Sequence, residues 1–444
     1  MTMRNSVSRR AGRVLLLAAL AAAGACDLDL TNPNSPPEEL VLTTPDGIIA
    51  LAVGMQGQFA GTTAGTGMVL NMVRAPGLVT DEISTTTVSL VADRSLVTGV
   101  GIDASFGVVS QPYTNAFRVV RSAEELLANA GNVGLPRGTE AGVLALARTY
   151  KAMALGAAIL QYEQIPVTAT MEENPLHPRA VVLDTVLSLL EQARAGLGSV
   201  AASELGDFNG RVAIGYNLGD VINAMLARYY LIDGQHQQAI DAAARVPLNR
   251  LNVFSYPDPL RNPVWAYSQF GLNYVRGTQE FVAEADTSDD RPGFWLRLDQ
   301  ATVNGSPAVP LRNLRQYADR NAPFPIYLPD EMRLIQAEAY ARTGRTALAA
   351  PLVNGVRTQC TPSATNGNLS EPVACMPALS AEALDTEAEV LAEIAYQRRY
   401  ELFLQGLRWE DVRRFGTAVS RETPALSFLP LPQNECVLNP AAPC

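Results

Sequence analysis

The chain has 444 residues, 48% hydrophobic and 18% charged, a balance that excludes a disordered protein and provides for a large core in one domain or two. Its net charge of −10 is repelled by phosphate backbones, which argues against nucleic acid as a partner. Lys151 is the only lysine, which removes most lysine-based chemistry.

Residues 1–25 read as a targeting segment. Arg4, Arg9, Arg10 and Arg13 precede an apolar run, Val14 to Ala23, shorter than the ~20 residues that span a bilayer. The run ends in Ala23-Gly24-Ala25-Cys26, a lipobox-like junction at which cleavage leaves Cys26 as a lipidated N-terminus. Ordinary secretory cleavage with an unmodified cysteine is the alternative. No later segment reads as a membrane span. Residues 26–45 are dominated by proline, asparagine and acids and read as a tether. Residues 46–444 then form a single domain.

Helical signal runs from Asp46 to about Phe59. Residues 60–105, rich in Gly, Thr, Ser and Val, carry no long amphipathic stripe and read as loops with short strands, with Asn71, Asp81 and Glu82 as polar contacts. Helices follow over Phe106–Asn129, Ala141–Tyr162 and Leu183–Leu197. Residues 226–246 then align with 336–356: Tyr230 matches Tyr340, Gly234 matches Gly344, Ala239 matches Ala349 and Val246 matches Val356. Each unit reads as a helix, a glycine turn and a second helix, a tetratricopeptide-like pairing on an irregular spacing.

Between these units, residues 247–326 form a proline-rich insertion. Phe254, Tyr256, Trp265, Tyr267, Phe270, Tyr274, Phe281, Phe294 and Trp295 place nine of the chain's 29 aromatics within 42 residues, a density that suggests a binding surface. Asn262, Gln269, Asn273, Arg276, Asp289, Asp290 and Arg291 lie among them. Aromatic faces that stack on sugar rings, beside polar groups that pair with hydroxyls, suit a glycan. Most of the nine are expected in the core; Trp265, Tyr267, Tyr274 and Trp295 are the exposed candidates. The ligand-binding set is these four with Asp290, Arg291, Asn71 and Asp81.

Enzyme signatures are absent. There is no G-x-S-x-G elbow, Walker loop or H-E-x-x-H, and His177 and His236 are the only histidines. No cofactor is implied. Adjacent acids such as Asp289-Asp290 leave a glycosidase as a weaker alternative. Beyond Cys26 the cysteines are Cys360, Cys375, Cys436 and Cys444, which allow three pairings; proximity favours Cys360–Cys375 and Cys436–Cys444. Without CxxC spacing, a metal site is not expected.

The stretch Leu391 to Gly416 organises the chain. Leu391, Ile394, Ala395, Arg398 and Leu402 share one helical face, which sets Arg398 among apolar neighbours with Glu401 in reach. Arg408 and Asp411 repeat the spacing, and the four together read as a structural ion-pair lock, because a buried arginine must be paired. The pattern Arg398-x-x-Glu401-Leu402-x-x-x-Gly406-x-Arg408-x-x-Asp411-x-Arg413-Arg414-x-Gly416 resembles the C-terminal signature of the RagB/SusD family, with Gln397 where that family usually has Glu. Leu30 to Pro36, Gln161 to Val167, Tyr327 to Ala339 and the proline-rich end before Asn439-Pro440 resemble other family segments.

The resemblance implies a mainly α fold of tetratricopeptide-like helical hairpins with loop-rich insertions. It implies a lipid-anchored, cell-surface protein of the bacterial outer membrane that binds oligosaccharide, or peptide in some members, without bond chemistry. Its partner would be a TonB-dependent β-barrel transporter of the SusC type. A structural adaptor that binds protein alone is a further alternative.

Overall fold

The computed structural model describes residues 41–442 apart from 62–65, 171–173, 213–214, 270–273, 305–308, 367–368, 417–423 and 425. The tether up to residue 40, Cys26, Phe270, Asn273 and Cys444 lie outside the described residues.

Helix α1 (Pro45–Ala60) begins where Thr44 caps it, its hydroxyl accepting from Gly47 N at 3.1 Å, with Pro45 in the first turn. It packs on α4 (Gly107–Asn129) and α5 (Arg137–Ile159), after α2 (Met68–Val79) and α3 (Val91–Thr98). Helices α2 and α3 correct the expectation of loops over 60–105. Ten of the twelve residues of α2 are buried, so it is covered nearly all round and leaves no stripe to read. Helix α5 is long and apolar enough to cross a membrane, with a mean hydropathy of 1.2 over 18 residues. That window is 89% buried, so its apolarity serves the core.

Successive helices then stack. Helix α6 (Arg179–Gly198) packs between α5 and α7 (Leu218–Ile232). Helices α7 and α8 (His236–Ala243) form one hairpin. The second hairpin, α11 (Pro329–Arg342) with α12 (Thr346–Arg357), packs against α8 once the short helices α9 (Pro263–Ser268) and α10 (Arg291–Trp295) have passed. The two hairpins turn identically. Gly234 has φ 79° and Gly344 φ 72°. The residue after each glycine donates back to the matched tyrosine carbonyl, Gln235 N to Tyr230 O and Arg345 N to Tyr340 O, both at 2.8 Å. These are Schellman closures, and only glycine takes that left-handed turn without strain. Helices α13 (Glu387–Glu401) and α14 (Arg408–Phe415) close the scaffold, α13 lying against α11 and α12.

The insertion contributes a four-stranded antiparallel sheet. Its strands are β1 (Ile83–Thr85), β2 (Val275–Thr278), β3 (Leu296–Asn304) and β4 (Val309–Leu314), in the order β1-β2-β4-β3. Ser84 pairs with Arg276 and Gly277 with Arg312. The two segments without helical stripes, 60–105 and 247–326, are thereby joined in one sheet.

Candidate ligand-binding cleft

The signature stretch is a buried charge network, with its partners exchanged relative to the i, i+3 expectation. Arg398 Nε donates to Asp411 Oδ2 at 2.8 Å across the α13–α14 turn, and Glu401 accepts from Arg291 Nη1 at 3.4 Å. Arg408 is buried as well, its Nη1 3.5 Å from Ala395 O. Asp411 also receives Arg414 at 2.9 Å. Arg414 makes a bidentate pair with Glu338 at 2.7 and 2.8 Å, and Arg342 reaches the same carboxylate at 2.8 Å. Burial raises the Glu338 carboxyl, but these arginines outweigh it and hold the pKa at about 2. Burial pushes Glu401 well up, reinforced by Asp330 and opposed by Arg291.

This network fixes α10, and α10 has two faces. Arg291 and Trp295, four residues apart, point into the core. Arg291 is 0% exposed and bonds Asp289 at 2.9 and 2.7 Å; Trp295 is 1% exposed and donates to Tyr400 O at 2.8 Å. Asp290 and Phe294, also four apart, face outward and line a cleft of ≈750 Å³. Its other wall is Arg315, Gln316, Asp319 and Asn321, which follow β4, with Leu369 at one end.

Internal bonds hold that wall. Arg315 Nη1 donates to Gly293 O at 2.9 Å, and Asp319 accepts from Asn321 N at 2.8 Å. Asn262 donates twice to the same segment, from Nδ2 to Ala322 O and from its own N to Arg320 O, both at 2.7 Å. The side chains of Asp290 and Gln316 make no hydrogen bond to any described residue. The cleft thus offers a carboxylate, an amide and part of a guanidinium beside the half-buried Phe294 ring. Clefts of ≈630 and ≈620 Å³ open elsewhere, against Tyr396 on α13 and along Leu426–Leu431. The larger one lies in the insertion itself.

Of the residues expected to bind, Asp290 alone lines this cleft. Trp295 and Arg291 are core residues, corrected by the bonds just described. Asn71 is 0% exposed and spends its amide on Gly67 O at 2.6 Å. Tyr267 is buried, bonded to Asp93 and lying 3.0 Å from Arg74 Nε, with Arg74 also bidentate to Asp93 at 2.7 and 2.8 Å. That cluster clamps α2, α3 and α9 together. Tyr274 is half-buried and stacks on Tyr267 with ring centres 5.7 Å apart; Trp265 is half-buried under Arg261 at 5.9 Å. Asp81 is exposed in a left-handed turn, φ 54°, at the entry to β1. Phe294 belongs to the aromatic cluster but not to the expected binding set, and Arg315, Gln316, Asp319 and Asn321 were not singled out; the polar run from Arg315 to Asn321 was their signal. Cys360 and Cys375 are joined by a disulfide.

Residues 315–427 match the model of the SusD family. No curated protein matches the sequence. The whole chain resembles a SusD superfamily protein from Bacteroides fragilis, with TM-score 0.69 and 16% identity over 91% of this chain and 100% of that one. It resembles another from Parabacteroides distasonis, with TM-score 0.67 and 14% identity over 92% and 98%. A SusD-like carbohydrate binding protein from Bacteroides vulgatus aligns with TM-score 0.62 and 13% identity over 86% and 84%. The fold is therefore the expected mainly helical one, shared with these SusD superfamily structures, and residues 315–427 carry the similarity to the SusD family.

Proposed function

We propose that the protein captures oligosaccharides in the cleft beside α10 and delivers them, unmodified, to a TonB-dependent transporter of the SusC type. Lipid on Cys26 would anchor it to the outer membrane at the cell surface. One observation carries the ligand reading. The Asp290 carboxylate and Gln316 amide have no hydrogen-bond partner among described residues and line the same cleft as the half-buried Phe294 ring. A sugar offers an apolar face to the ring and hydroxyls to both polar groups. The carbohydrate-binding relative from Bacteroides vulgatus supports the same class.

Capture without cleavage is supported by the adjacent acids. Asp289 is wholly buried in its pair with Arg291, whereas Asp290 is exposed. The two therefore do not flank one substrate bond as a glycosidase requires. Delivery then rests on differential affinity between states.

A glycan array of plant and microbial oligosaccharides tests the reading. The untreated chain should bind one glycan class, and D290A or Q316A should each weaken that binding about tenfold, the worth of one hydrogen bond of about 1.4 kcal/mol. Binding unchanged by both variants, or none across the array, would overturn it.

A further inference from the structure

We infer that the arm Leu369–Cys375, closed by the Cys360–Cys375 disulfide, is a recognition wall of the cleft, so that ligand capture matures only when this bond has formed. The inference rests on the reading of the cleft as a glycan site. Three observations converge on it. Leu369, 2% exposed, is packed at one end of the cleft. At the other end of the arm, Ala374 O accepts from Asp290 N at 3.1 Å, so the arm positions the residue whose carboxylate faces the ligand. The next residue, Cys375, sits at φ 52°, a left-handed conformation that a side chain rarely adopts and that surrounding structure must enforce.

The enforcement is visible. Cys375 N donates to Gln359 O at 2.9 Å and Met376 N to Arg357 O at 2.8 Å, which dock the arm on the end of α12. Inside the closed loop, Glu371 is 1% exposed and its Oε1 gathers Gln359 Nε2 at 2.7 Å, Ser363 Oγ at 2.6 Å and Ala364 N at 3.3 Å. The Cys360–Cys375 bond joins the two ends of the loop that makes these contacts. The helical scaffold, by contrast, holds itself through α7–α8, α11–α12 and the arginine network, none of which includes the loop. Loss of the bond should therefore cost the cleft its preorganisation before it costs the fold.

Bond formation removes two protons and two electrons from the two thiols. The acceptor is a protein disulfide of an oxidising compartment, whose own S–S bond opens to a dithiol. Binding is in this way coupled to export: chain held in a reducing compartment lacks the finished wall.

The test compares the full-length mature chain with C360S/C375S, and with L369A in which the disulfide is intact, on the same array of plant and microbial oligosaccharides. Far-UV circular dichroism and thermal melting report the fold. Both variants should keep the helical spectrum and bind about tenfold more weakly. Equal binding by a folded C360S/C375S, or by L369A should the double variant not fold, overturns the inference and leaves the glycan reading standing. Silence of the untreated chain across the array overturns both.

Discussion

Replacing Glu338 by glutamine should unlock the centre of the scaffold. Glu338 is 0% exposed and receives three charge-assisted bonds, two from Arg414 and one from Arg342. Its folded pKa of about 2 lies some two and a half units below the ordinary 4.5, which corresponds to about 3 kcal/mol of stability. Breaking a buried pair by removing one charge costs a similar 3–5 kcal/mol, because Arg414 keeps only Asp411. Since the folded pKa is depressed, this contribution is fully present above about pH 4.5 and is lost as the pH falls toward 2. Urea unfolding followed by tryptophan fluorescence measures it. The variant should lose about 3 kcal/mol at pH 7, and the gap to the native chain should shrink to about half by pH 3. A loss below about 1 kcal/mol at pH 7, or a gap that does not narrow in acid, would refute the assignment of Glu338 as the hub.

Other substitutions probe the same architecture. Trp295→Ala should cost about 3–5 kcal/mol of stability, as a core cavity does, read as a lowered unfolding midpoint; a folded variant of native stability that loses only ligand would restore Trp295 as a binding residue. Gly406 has φ 76° and an added Cβ would stand 2.4 Å from Met72 O, so Gly406→Ala should destabilise by about 1–3 kcal/mol in the same assay. Burial raises Asp330 to about 7, with Arg333 opposing and Glu371 reinforcing. A carboxyl whose folded pKa is raised contributes stability below its ordinary value and loses it as the pH rises through 7. Asp330→Asn should thus compare better with the native chain at pH 8 than at pH 5 by thermal melting, and the reverse order would contradict the burial of a proton there.

Much of the scaffold was legible because its periodicity is regular. The helices expected over 106–129, 141–162 and 183–197 are α4, α5 and α6, and the matched Tyr230/Tyr340 and Gly234/Gly344 mark two identical hairpin turns. Helix α2 was illegible because burial on every side erases the stripe. The ion-pair lock was legible as residues and illegible as pairs: spacing along α13 favours Arg398–Glu401, whereas the fold brings Asp411 to Arg398 and Arg291 to Glu401. The cleft was half legible. Asp290, Arg291 and Trp295 all stood out, but Arg-Pro-Gly does not announce a helix, and only helical geometry separates the outward Asp290 and Phe294 from the inward Arg291 and Trp295. The aromatic density of the insertion marked its core more than its binding face, as Tyr267 and Trp295 show.

Calorimetric titration of the mature chain with the array's best oligosaccharide, with the mixture assayed for new reducing ends, tests the central claim most directly. Capture predicts saturable heat, a marked loss of heat in D290A, and ligand recovered intact. Released product, or heat indifferent to Asp290, would contradict it.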